Sequence, residues 1–127
     1  MSQPDLSPRD AMECLRRTFC ETVRADRPDL TARQLAILLT VVLEAGPHTV
    51  RGLAAQLDLS KPVVTRAIDA LSRFDLVRRR PDERDLRSVL IERTPSGTAF
   101  LRDLAAPIMG GVAQDKVDAG SRDQAAA

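Results

Sequence analysis

Ser60, Lys61, Pro62, Thr65 and Arg66 open the stretch SKPVVTRAIDALSRF, residues 60–74, whose polar positions carry hydrogen-bond donors at helical spacing. On a helix, Lys61, Thr65, Arg66, Asp69, Ser72 and Arg73 share the face opposite Val64, Ile68 and Leu71. Two cations and a hydroxyl near the N-terminal end of that face suit phosphate oxygens and the acceptor edge of guanine in a major groove. The same pattern fits an ordinary solvated face, so the flanking residues must decide between the two readings. A second donor group is Arg84, Asp85 and Arg87, in and just after a polar loop over Pro81–Leu86. A carboxylate between two guanidinium forks is a natural orienting partner, because the pairing is bidentate. Arg78, Arg79 and Arg80 add charge, but alternate strand residues face opposite ways, so at most two reach one track of phosphates.

Other chemistry is poorly supplied. His48 is the only histidine, and no Gly-rich phosphate loop or metal-ligand spacing occurs, so no enzyme, cofactor or metal is expected. Cys14 and Cys20 lie six residues apart, about 120° around a helix, and cannot pair on one straight helix. Burial as small apolar side chains is their ordinary role, with redox sensing as the alternative. With no Trp or Tyr, the chain lacks platforms for stacking single-stranded bases.

The donors need a scaffold, and the pattern predicts a mainly α fold with a small β-wing. Ser60 is a good N-cap and Pro62 sits in the first turn of the helix it opens. Leu53, Ala54, Leu57 and Leu59 make a shorter apolar helix upstream, and a connection of two or three residues, Asp58 to Ser60, sets the two at a steep angle. Asp58 stands where such turns often place glycine and tolerates a left-handed backbone. Leu76–Arg80 and Arg87–Arg93 read as strands, with Val89 and Ile91 on one buried face. Thr31 and Gln34 form a capping box, with Leu30 and Leu35 as a staple, for a helix whose apolar face is Leu35, Leu38, Leu39, Val42 and Leu43. Gly46-Pro47 stops it, and His48 to Val50 supply a short third strand. A leading helix starts at Ser7-Pro8, ends near Ala25 and carries Met12, Leu15, Phe19 and Val23 on its apolar side. Thr94-Pro95-Ser96-Gly97 opens a final helix with Leu101, Leu104, Ala105 and Ile108 inward, kinked or ended by Pro107.

From about Leu30 to Gly97 these elements resemble the winged helix-turn-helix of MarR-type bacterial transcriptional regulators. The carrying motifs are LTARQLAILLTVV, VRGLAAQLDLSKPVVTRAIDALSRFDLVRRR and DERDLRSVLIERTPSG. Asp85-x-Arg87 before a strand ending in Thr94-Pro95-x-Gly97 is the most specific of them. The resemblance implies a homodimer on double-stranded DNA, with Lys61, Pro62, Thr65 and Arg66 at the major groove, Arg84 and Arg87 at the minor groove or its phosphates, and Ser60 and Arg73 as further DNA-binding residues. It further implies that Asp85 holds the wing's arginine, and that the leading helix packs on a partner subunit's C-terminal helix. Some members respond to a small aromatic acid, and this chain names no effector of its own. Peroxide-sensing members use tyrosines that are missing here. The family often has a further basic residue where Leu86 stands, and usually ends in longer helices than this chain carries.

Size and charge set the remaining expectations. A length of 127 residues fits one domain over 1–109, with a DNA-binding core near 31–97 and a polar tail over 110–127 broken by Gly110-Gly111, with room for a short helix over Val112–Val117. No apolar run is long enough to cross a membrane and Met1–Asp10 lacks a secretion-signal core, so no membrane association and a cytoplasmic location are expected. The formal net charge is only +1, yet Lys61–Gly97 holds nine basic against six acidic residues, so positive charge gathers where the donors lie. The near-neutral total and short C-terminus motivate an alternative: a winged-helix module that binds another regulator or polymerase, with little direct DNA binding.

Overall fold

Every helix among the described residues begins on a hydroxyl. The structure is a computed structural model that describes residues 6–109. Ser7, Thr31, Thr49 and Ser60 cap α1 (Pro8–Arg24), α2 (Ala32–Leu43), α3 (Val50–Leu57) and α4 (Lys61–Arg73). Each side-chain oxygen accepts a backbone N–H three residues on, from Asp10, Gln34, Gly52 and Val63 respectively. The last helix, α5 over residues 95–109, starts on Thr94, whose hydroxyl accepts the Gly97 N–H at 2.9 Å. Such a cap is worth about 1 kcal/mol, so local chemistry sets all five starts. The strands β1 (Val77–Pro81) and β2 (Val89–Arg93) pair antiparallel, with Arg79 opposite Ile91. The third strand is reduced to one bridge, His48 to Ile91, because Thr49 already caps α3.

Pro28–Leu101 forms one compact unit and holds the core. Val64, Ala67, Ile68 and Leu71 bury the inner side of α4, and α2 and α3 both pack against that helix. Leu53 and Ala54 from α3, Ile37, Leu38 and Val41 from α2, and Val77 and Ile91 from the strands complete the core. The α2 face differs from expectation: Ile37, Leu38 and Val41 point inward, while Leu39 is exposed and Leu43 is 75% exposed. With leucine, isoleucine, valine and alanine around most of α2, its periodicity cannot choose a side. Val89 is also exposed, because the hairpin end it occupies reaches past the core that covers Ile91.

The steep corner between α3 and α4 is made by Asp58 in the left-handed region (φ 54°, ψ 47°), with the Leu59 N–H bonded to the Ala54 carbonyl at 2.9 Å. A second left-handed aspartate, Asp75 (φ 58°), turns the chain from α4 into β1. Its carbonyl accepts the Thr94 hydroxyl at 2.6 Å. One residue on, a Cβ on Gly97 would lie 2.1 Å from the Leu76 carbonyl oxygen. The Thr-Pro-x-Gly step therefore pins the head of α5 to the root of the wing.

Among the described residues the other unit comprises 6–27 and 102–109. In it α1 leaves Met12, Leu15, Phe19 and Val23 exposed, and its buried residue is Thr18, whose hydroxyl donates to the Cys14 carbonyl. Cys14 and Cys20 are half-buried and free. A hydrogen bond from Arg16 holds the Glu13 carboxyl below its usual range. Helix α5 runs through Pro107 to at least residue 109, and Ala105 and Ile108 are exposed, so Pro107 does not end it. The expected polar tail, the break at Gly110-Gly111 and the short helix after it lie outside the described residues. Among the described residues no helix is long and apolar enough to cross a membrane.

Candidate nucleic-acid interface

Helix α4 offers its outer face from its N-terminus. Ser60, Lys61, Pro62, Thr65 and Arg66 are all exposed, backed by the fully enclosed Val64 and Ile68. The Ser60 hydroxyl is occupied as cap acceptor for Val63. Arg73 is exposed too, but twelve residues along the helix puts it about 18 Å from Lys61. Its Nε donates to the Asp69 carbonyl, so it closes the C-terminal end of α4, where a cation meets the negative end of the helix dipole. Ser72 departs from the expected polar face: its hydroxyl is enclosed, without a hydrogen-bond partner among the described residues.

The wing is a loop with its own bracing. The carboxylate of Asp82 accepts the Arg84 N–H at 3.0 Å, and that of Asp85 accepts the Arg87 N–H at 3.1 Å. Asp85 thus shapes the backbone that carries Arg87, where a fork between carboxylate and guanidinium was expected. Both arginines remain exposed, without a carboxylate partner among the described residues.

Ion pairing divides the cations into two sets. Arg80 meets Glu92 at 2.6 Å, Arg78 approaches the same carboxylate at 3.3 Å, and Arg79 pairs with Asp69 of α4. The triple-arginine run is therefore largely spent on carboxylates of the chain itself, at the surface and from opposite faces of β1. The Asp69–Arg79 pair ties α4 to the wing and neutralises a carboxylate beside the donor face. Lys61, Arg66, Arg84 and Arg87 carry no such partner among the described residues, leaving their charge for an external anion.

Lys61, Asp85 and Arg87 meet at one hollow of about 610 Å³ with Thr49, Arg51 and Ser88. Thr65, Arg66, Arg73 and Arg84 lie outside it. Arg51 lines the same hollow and is not among the residues singled out by the sequence pattern. Its signal was present, because it is the second residue of a capped helix leading into the turn, where N–H groups and a cation favour anions together. The hollow collects the starts of α3 and α4 and the flank of the wing around one positive concavity.

Comparison with known proteins bears on the fold. The MarR family model matches residues 30–89. A mutant of S. aureus MepR bound to an oligodeoxyribonucleotide superposes with a TM-score of 0.70 at 21% identity, covering 91% of this chain and 85% of that one. The S. aureus MepR–DNA complex gives 0.67 at 18% identity, covering 93% and 91%. The transcriptional regulator Tm0710 from Thermotoga maritima gives 0.66 at 21% identity, covering 91% and 84%. No curated protein sequence matches the chain. With its capped α2, its left-handed corner at Asp58 and its hairpin after α4, this chain has the winged helix-turn-helix fold of these structures.

Proposed function

We propose that the chain is a sequence-specific, double-stranded DNA-binding transcriptional regulator acting as a homodimer, with α4 in the major groove and the wing at the minor groove. The observation that carries this reading is the set of cations without carboxylate partners, Arg51, Lys61, Arg66, Arg84 and Arg87, contributed by three elements on exposed surface. Two MepR structures of the same fold hold DNA, which supports the choice of partner. The homodimer is supported by α1, whose exposed Met12, Leu15, Phe19 and Val23 recur every three or four residues as a stripe suited to a second copy. One small basic module makes few phosphate contacts, and two copies double them.

Selection of bound duplexes from a random library tests both halves of the reading. Two half-sites about 34–36 Å apart, one helical turn, are expected for a symmetric pair. On the selected duplex, Arg66→Ala is expected to lose about 1–3 kcal/mol and to relax preference at one base pair. Arg84→Ala should weaken binding and flatten the salt slope by about 0.9. If neither substitution changes binding to a palindromic site, the reading fails. An affinity that hardly responds to salt would favour a protein partner instead.

Asp69 supplies a prediction of opposite sign. Asp69→Asn removes a carboxylate beside the donor face and releases Arg79. Both residues of the pair are partly exposed, so folding stability should change by less than about 1 kcal/mol. Non-specific duplex affinity at low salt should rise, with a slope steeper by about 0.9 if Arg79 then reaches a phosphate. Filter binding over a salt series, beside urea melts, reads both.

A further inference from the structure

The wing loop over residues 82–88 is held by bonds within itself. Asp82 N–H donates to the Ser88 carbonyl at 3.1 Å, Asp85 N–H to the Asp82 carbonyl at 3.2 Å, and Ser88 N–H to the Asp85 carbonyl at 2.9 Å. The two aspartate side chains add bonds to the Arg84 and Arg87 N–H groups. On this braced loop Leu86 stands 85% exposed, more than any other large apolar side chain among the described residues. Arg84 and Arg87 flank it, neither with a carboxylate partner among those residues. A lone exposed leucine on a loose loop calls for no explanation. Here the backbone is fixed, and any polyanion drawn to the two arginines is brought against the leucine between them.

We infer that the wing tip grips the minor groove with a mixed surface, in which Leu86 seats against the deoxyribose walls and floor and selects against G·C pairs. The inference rests on the DNA-binding reading above and adds a component of wing binding that is insensitive to salt and selective for sequence. In the minor groove an A·T pair shows only acceptors, whereas guanine adds its N2 amino donor. A leucine over that amino group strips its water and offers no acceptor in return, which is unfavourable. Over A·T pairs the groove floor lacks that group, and the leucine buries apolar surface instead. Arginine also favours narrow A·T tracts, through charge, so the leucine's share must be separated from the cations'.

The full chain provides the test, on duplexes it has itself selected. Hydroxyl-radical footprinting locates the base pairs under the wing, and guanines there are replaced by inosine, which deletes the minor-groove amino group and leaves the major-groove edge unchanged. Inosine should raise wild-type affinity about fivefold, and that of Leu86→Ala less than twofold. On an A·T-bearing duplex, Leu86→Ala should bind about fivefold more weakly with an unchanged salt slope. Leu86→Lys should steepen that slope by about 0.9. If Leu86→Ala matches wild type in affinity and in its inosine response, the leucine is a solvated tip and the inference is overturned, while the DNA-binding reading stands. If the wild-type chain binds no duplex at any salt concentration, both fall together.

Discussion

Gly97→Ala is expected to destabilise the protein by about 3 kcal/mol, as a drop in the urea midpoint at nearly unchanged slope. The added methyl would lie 2.1 Å from the Leu76 carbonyl oxygen and 3.0 Å from its carbon, so backbone itself has to move. A flexible side chain could swing aside, but Leu76 cannot. Its N–H is bonded to the Leu71 carbonyl, its side chain is buried, and the preceding Asp75 carbonyl is held by Thr94. Moving Leu76 therefore displaces the root of β1 or lifts α5 from its place. Substitution at the neighbouring exposed Ser96 should leave the midpoint within about 0.5 kcal/mol and serves as the control.

Ile68→Ala is the second large effect, with a loss of about 2–5 kcal/mol. Ile68 is fully enclosed in α4, where α2, α3 and β1 all pack. Truncation removes three carbons and leaves a cavity that these elements cannot readily fill. Against a domain stability of about 5–15 kcal/mol, part of the population is then unfolded at 37 °C. The informative contrast is with Arg66, two residues away on the opposite side of the same helix. Ile68→Ala should lower the melting temperature and, where the protein is still folded, leave base preference unchanged. Arg66→Ala should do the reverse. Thermal melts paired with binding to the selected duplex separate the two sides of α4.

Much of this arrangement was legible in the chain, for reasons that differ from element to element. Helix starts were readable because capping is local: Ser7 with Asp10 and Thr31 with Gln34 each complete their bonds within four residues. The left-handed turn at Asp58 was readable because few residues tolerate it. The inward side of α2 was not, since a helix apolar all round is oriented only by its neighbours. Thr94 and Gly97 could be recognised as a signature, but their physical reasons are contacts with Asp75 and Leu76 about twenty residues earlier, which no local pattern reveals. Arg51 was overlooked because an arginine early in a short helix looks like surface until Lys61 and Arg87 are folded around the same hollow. The expected pairing of Asp85 with a guanidinium gave way to a backbone bond because the tight loop brings the Arg87 N–H nearest.

The two left-handed aspartates, Asp58 before α4 and Asp75 after it, have a consequence for how such a protein drifts over generations. Asn and Gly also adopt that backbone, so each hinge can exchange a negative residue for a neutral one while the chain keeps its path. Each exchange raises the local charge by one beside the donor helix. Attraction for a polyanion is thereby adjustable in steps at the ends of the helix, without altering a residue that reads bases or one that fills the interior.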